Sequence, residues 1–395
     1  MGNWIKVKIS DIGEVVGGAT PSTKNEQFYN GDISWITPKD LSDFKGRFIS
    51  RGERNITQQG LESCSTRLLS KNTILFSSRA PIGYVAIAEK SMCTNQGFKS
   101  VIPNEKIDYM FLYYLLKYNK SRIEAMGSGT TFKEVSGSTM KNIEVEIPRS
   151  IMEQKMIANV LDSIDSKIEN NQKINSNLEQ QAQTIFAAFI SEHQTTTVTV
   201  EDIVLTANTG ADAIQKAPIV DHDTGVRCVR VGDMSNQRPV HEWGFAQVTP
   251  EIFRQYQLHK DDIVVTRTAN LGLNRLIGED LSAVYNNGLI RISINQDIVY
   301  PLIVYRQFQT DDYRNYISRI SGETSVRPNM KINYLLKYSF EIPCLSDQAE
   351  LISILQPIFE IQERNISENH TLSSLRDTLL PKLMSGELDI SNFDF

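Results

Sequence analysis

The chain repeats one sequence pattern in its two halves, and this repeat limits the fold to a pair of similar units. Five short matches recur in the same order, each displaced by 191 to 195 residues. They are Asp11-Ile12 with Asp202-Ile203, Asp40-Leu41 with Asp233-Met234, Asn95-Gln96-Gly97-Phe98 with Asn286-Asn287-Gly288-Leu289, Glu146-Ile147-Pro148 with Glu341-Ile342-Pro343, and Glu153-Gln154 with Asp347-Gln348. One match alone would be chance, whereas five in order indicate a tandem duplication.

Each half changes character once along its length. Its first part places short runs rich in Val, Ile and Thr between Gly and Pro residues, as at 73–76 and 263–266, which is typical of a compact α/β domain. Its second part is a long helix, and in the first half Ser150 and Glu153 form a capping box at the start. We predict an α/β domain over 1–149, a helix over 150–192, a second α/β domain over 193–345, and a second helix with a C-terminal tail over 346–395.

Both long segments carry a heptad seam, which predicts that they pair as a coiled coil. The first seam is Ile157, Leu161, Ile164, Ile168, Asn171, Asn175, Leu178, Ala182, Ile185 and Phe189. The second is Leu351, Leu355, Ile358, Gln362, Asn365, Asn369, Leu372, Arg376, Leu379 and Leu383. Each seam has Asn-x-x-x-Asn at its centre. These four asparagines either fix the register, because a buried Asn needs a polar partner, or mark an exposed stretch.

Connectivity favours an antiparallel pair. The second α/β domain leaves one helix and enters the other, and a parallel pair would force it to bridge the 33 residues from Ile157 to Phe189, roughly 50 Å. An antiparallel pair places its two ends side by side. We therefore predict a mixed α/β fold: two similar domains, separated by two long antiparallel helices and related by a pseudo-two-fold axis. Asn171 then faces Asn369, and Asn175 faces Asn365. Pro357 should kink or loosen the second helix, and Arg376 is a poor seam residue.

Composition restricts the class of protein. The four cysteines form no C-x-x-C pair, and no run approaches the ~18 apolar residues that a membrane span needs, so we expect a cytoplasmic protein. The formal net charge of −6 is unusual for a DNA binder. Many of the acids, however, lie in the long helices, whereas cations cluster in the domains, for example Lys45, Arg47, Arg51 and Arg54. We therefore expect affinity for DNA to need a partner subunit.

Two similar domains held apart by paired helices are suited to reading two half-sites on duplex DNA. Because the two domains differ in sequence, the half-sites should differ as well. The geometry therefore predicts a bipartite, asymmetric target with an unread spacer.

The chain resembles the specificity subunits of type I restriction–modification systems over nearly its whole length. The resemblance is carried by Gly17-Gly18-Ala-Thr-Pro21, Tyr29-Asn30-Gly31-Asp-Ile-Ser-Trp35, Ser78-Arg79-Ala-Pro-Ile-Gly83, Gly127-Ser-Gly-Thr-Thr-Phe-Lys133, Leu379-Leu-Pro-Lys-Leu-Met-Ser-Gly-Glu-Leu388, and the pairs at 40–41, 95–98, 147–148 and 153–154. The second domain departs from the pattern at Thr209-Gly210-Ala-Asp212. The resemblance implies that the two α/β domains are target-recognition domains.

The resemblance also implies the partners. Such subunits bind duplex DNA and two methyltransferase subunits, and the trimer methylates adenine N6 with S-adenosylmethionine. Added restriction subunits make the complex an ATP- and Mg-dependent nuclease. Since the partner subunits use these cofactors, this chain itself is expected to bind none. It is also expected to bind no membrane.

The sequence lacks the motifs of a catalyst. It contains no Pro-Pro for an amino-methyltransferase clamp and no G-x-x-x-x-G-K-[ST] phosphate loop. The five histidines are scattered, so we predict neither a catalytic nor a metal site. Glu153-Gln-Lys155 and Asp165-Ser-Lys167 lie on the first long helix and are interpreted as ordinary solvated charges.

The predicted DNA contacts are side chains suited to base edges and phosphates that lie in loops rich in Gly, Pro or Thr. They are Lys39, Arg79, Thr130, Thr131 and Lys133 in the first domain, and Arg230, Arg267, Asn270, Thr324, Ser325 and Arg327 in the second. Each is alternatively a surface or loop-forming residue. Asn95 and Asn286 are predicted to form turns, and Trp35 to lie in the core.

Two other functions stay open at this point. A stand-alone DNA-modifying enzyme with a divergent site would transfer methyl groups without a partner. A coiled-coil scaffold that binds protein would leave no footprint on DNA.

Overall fold

The computed structural model describes residues 4–42, 44–79, 81–129, 133–323 and 329–388, which group into two compact units. Unit 1 takes in the described residues up to Glu169 together with those from Leu372 onward. Unit 2 takes in Asn170–Thr371. Each unit therefore combines one α/β domain with part of both long helices.

The α/β domain of unit 1 contains ten short strands and five short helices. In chain order they are β1 (Trp4–Lys8), α1 (Ile9–Ile12), β2 (Gly13–Gly17), β3 (Tyr29–Ile36), β4 (Phe48–Ile49), β5 (Arg54–Ile56), α2 (Gln58–Glu62), β6 (Ile74–Ser78), β7 (Ile82–Ala88), β8 (Cys93–Thr94), β9 (Lys99–Pro103), α3 (Tyr109–Tyr118), α4 (Lys120–Ala125), α5 (Gly137–Asn142) and β10 (Glu144–Pro148). Two 3-10 turns, Glu26–Phe28 and Pro38–Leu41, flank β3. The first long helix, α6 (Ile151–Glu192), follows, and Ser150 Oγ accepts a hydrogen bond from Glu153 N at its start.

Unit 2 repeats this order. Its elements are β11 (Thr195–Thr199), α7 (Val200–Ile203), β12 (Val204–Thr209), β13 (Ile219–Val220), β14 (Arg227–Val229), α8 (Val231–Ser235), β15 (Gly244–Ala246), α9 (Pro250–Tyr256), β16 (Ile263–Thr266), β17 (Asn274–Leu276), β18 (Ala283–Tyr285), β19 (Leu289–Ile294), α10 (Pro301–Gln307), α11 (Asp311–Glu323), α12 (Ile332–Leu336) and β20 (Ser339–Pro343). A 3-10 turn spans Val240–Glu242. The second long helix, α13 (Leu345–Met384), comes last.

The sheets of the two units share a core of strands in the same order, and β4 at the edge of the unit 1 sheet has no counterpart in the matching sheet of unit 2. Unit 1 has a sheet of order β2-β9-β6-β7-β4, and unit 2 has β12-β19-β16-β17. The parallel pair β3–β8 corresponds to β14–β18, and the antiparallel pair β1–β10 corresponds to β11–β20. The predicted duplication and the mixed α/β fold class are therefore confirmed.

The seams of the long helices are sequestered from solvent, as the heptad pattern predicts. All twenty seam positions are buried or partly buried. In unit 1, Ile157, Leu161 and Leu383 join the domain core. In unit 2, Phe189 and Leu351 do the same. Hydrophobic burial at the seam thus fastens each domain to both helices.

The two long helices run antiparallel within each unit, as predicted. In unit 1, Asp165 on α6 contacts Arg376 on α13. In unit 2, Asn171 Nδ2 lies 3.0 Å from Asn369 Oδ1, and Asn365 Nδ2 lies 2.8 Å from Asn175 Oδ1. Partner numbers on α13 fall as those on α6 rise, which defines the antiparallel sense. The structure pairs the four asparagines side chain to side chain, and their part in fixing the register stays a prediction.

The role of these asparagines can be tested with leucine variants. Asn365→Leu removes the donor to Asn175 Oδ1, so we expect a loss of about 1–2 kcal/mol in the free energy of unfolding. Asn175→Leu/Asn365→Leu together should recover much of that loss, because no half of the pair is left without its partner. Urea unfolding of the two single variants and the double variant completes a double-mutant cycle. Strictly additive losses would contradict a register-fixing pair.

Helix α13 continues through Pro357 as one helix. The proline ring removes the hydrogen bond to the carbonyl of Ser353, one turn earlier. Both residues are exposed, so water can satisfy that carbonyl. Solvent exposure explains why the helix is not interrupted there.

Candidate nucleic-acid interface

Three segments of unit 1 meet around the turn at Asn95–Gly97. Asn95 Oδ1 accepts a hydrogen bond from Gly97 N at 2.9 Å, and Gly97 O accepts one from Ser78 N at 2.7 Å. A Cβ on Gly97 would lie 2.7 Å from Cγ of Pro38, which begins a 3-10 turn. The turn predicted at Asn95 is confirmed, and its glycine is required by the close approach of Pro38.

A fourth segment joins them from the other side. Arg79, just after β6, forms a β-bridge with Glu134, and Ser78 O accepts a hydrogen bond from Val135 N at 2.9 Å. The loop before α5 therefore lies against the loop after β6. We call these four segments, together with their counterparts in unit 2, the loop edge of each unit.

The loop edge of unit 2 is built in the same way. Asn286 Oδ1 accepts from Gly288 N at 3.2 Å, and Gly288 O accepts from Arg267 N at 2.9 Å. A Cβ on Gly288 would lie 2.8 Å from Cγ2 of Val231 in α8. Met330 N donates to Arg267 O at 2.8 Å, as Val135 does to Ser78. The turn predicted at Asn286 is also confirmed.

The predicted contact residues therefore lie on two equivalent edges. Lys39, Arg79 and Lys133 lie on the loop edge of unit 1, and Arg230, Arg267 and Asn270 lie on that of unit 2. Thr130, Thr131, Thr324, Ser325 and Arg327 lie outside the described residues. That these residues touch DNA stays a prediction.

Two of the three cations predicted to contact DNA in unit 1 have carboxylate neighbours. Lys39 Nζ is 2.8 Å from Glu53 Oε2, and the Lys39 side chain is 78% exposed. Hydrogen bonding to Glu53 raises the pKa of Lys39, although solvent screening at such a site keeps the interaction weak. Arg79 Nη1 lies 3.9 Å from Glu134 Oε2, and Lys99 Nζ lies 3.1 Å from Glu134 Oε1. Glu53 and Glu134 thus help to hold the loops that carry Lys39 and Arg79 in place.

In unit 2 a buried carboxylate holds two arginines. Asp233 is 1% exposed, and its Oδ2 accepts from Arg230 N at 2.9 Å and from Arg230 Nε at 3.3 Å. Its Oδ1 accepts from Arg238 Nη1 at 3.2 Å. Both guanidinium groups stay partly exposed at the loop edge. Arg238 was not among the predicted DNA contacts. Its position five residues after Asp233, which repeats Asp40 of the first half, could have indicated that it lies at the loop edge.

Arg267 and Asn270 shape the loop after β16. Arg267 donates from Nε to Met330 O at 3.1 Å and from Nη2 to Asn329 Oδ1 at 2.9 Å. The Asn270 carbonyl accepts a hydrogen bond from Thr266 Oγ1, while the Asn270 residue is exposed. Arg267 thus ties two segments of the loop edge together, and Asn270 presents its amide to solvent.

Trp35 lies in the core, as predicted. It is 5% exposed, and its indole Nε1 donates to Ala19 O at 3.1 Å. Its ring also meets Tyr29 edge to face. Trp35 is therefore not a stacking platform for a base.

One expectation about charge was wrong, and one cation of the predicted clusters is buried. Asp165, interpreted as a solvated charge, is 5% exposed and accepts hydrogen bonds from Tyr114 and Arg376. Arg47, which the sequence places in a cluster of cations, is 5% exposed and donates to Glu169 and Asp162 on α6. Asp165 on α6 and Arg47 in the α/β domain are therefore both buried charges, and each is paired. Arg376 fits the seam because Asp165 is its partner.

The residues that the structure describes contain neither a candidate metal cluster nor a candidate membrane span. Within those residues, no group of three or more His, Cys, Asp or Glu side chains is placed to hold a metal ion. No helix in the same ranges is long and apolar enough to cross a membrane.

Known proteins resemble the chain over its whole length. A family model described as the type I restriction modification DNA specificity domain matches residues 1–180. The type I restriction enzyme MjaIX specificity subunit of Methanocaldococcus jannaschii is 32% identical, and the match covers 98% of this chain and 94% of the relative. The type I restriction enzyme EcoR124I/EcoR124II specificity subunit of Escherichia coli is 30% identical over 40% of each chain.

A solved structure shares the fold. The S subunit of a type I restriction–modification system from M. genitalium superposes with a TM-score of 0.64 at 19% identity. The match covers 97% of this chain and 96% of that one.

Proposed function

This chain belongs to the family of type I restriction enzyme specificity subunits, and from that we propose that it reads a bipartite, asymmetric DNA target for its partner subunits. The observation that supports a bipartite target is the pair of loop edges, which share one backbone arrangement and differ in side chains. Where unit 1 has Thr37 and Lys39, unit 2 has Arg230 and Gly232. Unlike side chains on the same scaffold favour two unlike half-sites, with an unread spacer between them.

We propose that the chemistry belongs to the partners. Two methyltransferase subunits would methylate adenine N6 with S-adenosylmethionine, and restriction subunits, where present, would use ATP and Mg. The chain itself would bind neither a cofactor nor a membrane and would work in the cytoplasm. The sequence supports a non-catalytic role, because it contains neither the Pro-Pro of an amino-methyltransferase clamp nor a G-x-x-x-x-G-K-[ST] phosphate loop.

The proposal is tested by mapping N6-methyladenine in the source genome with and without this gene. We expect one asymmetric motif of two short parts to lose its methylation when the gene is deleted, and to regain it on complementation. Persistence of every methylated motif after deletion would refute the proposal.

A second arm separates this function from a stand-alone enzyme. The purified chain, incubated with DNA and S-adenosylmethionine, should transfer no methyl groups until methyltransferase subunits are added. Methyl transfer by the chain alone would assign the catalysis to it instead.

A further inference from the structure

A cationic cleft lies inside unit 1, outside the residues so far assigned to DNA. Its volume is about 240 Å³. Three lysines, Lys45, Lys117 and Lys120, line it together with the rings of Phe44 and Tyr84. No acidic side chain is among its lining residues in the part of the chain that the structure describes. Three lysine side chains thus line one small cleft.

These lysines differ from two of the cations on the loop edge. Lys39 and Arg79 each lie near a glutamate. By contrast, no ion pair joins Lys45, Lys117 or Lys120 to a carboxylate among the described residues. The cleft therefore holds lysines without an ion pair among the described residues, and Asp165 and Asp377 act on Lys117 only at longer range. The chain as a whole has a formal net charge of −6.

Lys117 is the most constrained of the three. It is half-buried, and its Nζ lies 5.2 Å from the centre of the Tyr113 ring. Burial lowers the pKa of its ammonium group below the ordinary value. The ring face offsets only part of the lost hydration, and an anion in the cleft would offset more of it.

The duplicated cleft in unit 2 shows that the fold does not require such charges. That cleft, about 390 Å³, has Met234 and Gly272 where unit 1 has Leu41 and Gly83. Its two arginines are paired. Arg275 Nη2 lies 3.3 Å from Glu363 Oε2, and Arg314 Nη1 lies 2.6 Å from Asp311 Oδ1. The unpaired lysines are therefore particular to unit 1.

The cleft adjoins the loop edge of unit 1. The side chain of Lys120 crosses the backbone of Gly83, whose φ is +93°, and a Cβ there would lie 2.6 Å from Lys120 Cγ. Gly83 lies at the start of β7, immediately after the loop that carries Arg79. On the other wall, Leu41 ends the 3-10 turn that carries Lys39. A DNA strand read at the loop edge would pass within reach of the cleft.

We propose that this cleft binds a backbone phosphate of the DNA beside the bases that unit 1 reads. The inference rests on the proposed function. A phosphodiester carries one negative charge and accepts hydrogen bonds, and lysine ammonium groups are suited to it as point charges. A contact of this kind positions the duplex and carries no base preference.

The test measures DNA binding by the complex of the chain with its methyltransferase subunits over a range of salt concentrations. The probes are a duplex that carries the methylated motif and a scrambled duplex of equal length. For Lys45→Gln/Lys117→Gln/Lys120→Gln we expect binding to both duplexes to weaken by about tenfold, and the slope of log K against log salt to shrink by about 0.9, the value for one phosphate. The affinity ratio between the two duplexes should not change.

A matched control carries the same change in charge at the other end of the sheet. Lys71 precedes β6, Lys90 follows β7 and Lys106 follows β9, so strand direction places all three away from the loop edge, and all three are exposed. Replacing these three lysines by Gln should leave the slope of log K against log salt unaltered. Lys45→Gln/Lys120→Gln, which changes exposed residues only, keeps the test informative if the triple variant misfolds.

Three results would overturn the inference. Equal losses for the cleft and control variants would mean a general charge effect. A loss confined to the motif duplex would mean base reading instead of phosphate binding. If the unaltered complex bound neither duplex, the proposed function would fail, and this inference with it.

Discussion

Asp165→Ala is expected to lower the free energy of unfolding of unit 1 by about 3–5 kcal/mol, the usual cost of breaking a buried ion pair from one side. The Asp165 carboxylate accepts from Tyr114 Oη at 2.9 Å and from Arg376 Nη1 at 2.8 Å. Alanine leaves both donors without that partner on the inner face of the helix pair. Burial raises the pKa of Tyr114 well above its usual range, with Asp165 adding to the effect, so the phenol stays a donor at neutral pH.

The control for this prediction uses the same arginine. Asp377 also contacts Arg376, at 2.8 Å, but its side chain is 66% exposed. Asp377→Ala should therefore cost no more than about 1 kcal/mol. Urea unfolding of both variants makes the comparison, and equal losses would show that burial of Asp165 has no energetic weight.

A second variant separates charge from packing. Tyr114→Phe/Asp165→Leu/Arg376→Met removes the three members together, and Asp377, which loses Arg376 as a partner, is exposed to water. Replacement of a buried ionic group by apolar residues of similar volume is often neutral. We expect the triple variant to unfold closer to the unaltered chain than Asp165→Ala does. A triple variant less stable than Asp165→Ala would mean that the network contributes more than its desolvation costs.

The fold could be predicted from the sequence because its strongest signals are local or periodic. The five matches revealed two units before any contact was known, and the heptad seams revealed the helix pair. The antiparallel sense followed from the position of the second domain in the chain. Helix α13 continues through Pro357, where the freed carbonyl of Ser353 is exposed to water, and the kink expected there stays a prediction.

The site was less predictable because charge pairing depends on tertiary contacts. Arg47 and Glu169 are 122 residues apart, and Asp165 and Arg376 are 211 residues apart, yet both pairs are in contact. No local pattern distinguishes Arg47 from an exposed arginine. The same holds for the cleft, because Lys45 and Lys120 come together only through the fold.

The second large effect concerns a buried glutamine that occurs once in each unit. Gln154 and Gln348 are both fully buried. Gln154 Oε1 accepts from Asp108 N at 2.8 Å, and its Nε2 donates to Lys106 O and Pro148 O at 3.2 and 2.9 Å. One side chain thus joins the end of β10, the segment before α3 and the first turn of α6.

Gln348 makes the same three bonds in unit 2. Its Oε1 accepts from Tyr300 N at 3.0 Å, and its Nε2 donates to Ile298 O and Pro343 O at 3.0 and 2.8 Å. The Glu-Gln and Asp-Gln pairs found in the sequence repeat therefore mark the same joint between a domain and its long helix. A leucine fills similar volume but can neither donate nor accept.

Gln154→Leu and Gln348→Leu should each lower the free energy of unfolding by about 3–5 kcal/mol, because three backbone groups around a fully buried side chain lose their partner at once. Loss of amide protection, followed by hydrogen exchange, should concentrate in unit 1 for the first variant and in unit 2 for the second. Gln172→Leu, at an exposed position of α6, should change stability by no more than about 0.5 kcal/mol. If the buried variants unfolded like Gln172→Leu, the joint between each domain and its helix would have to rest on apolar packing alone.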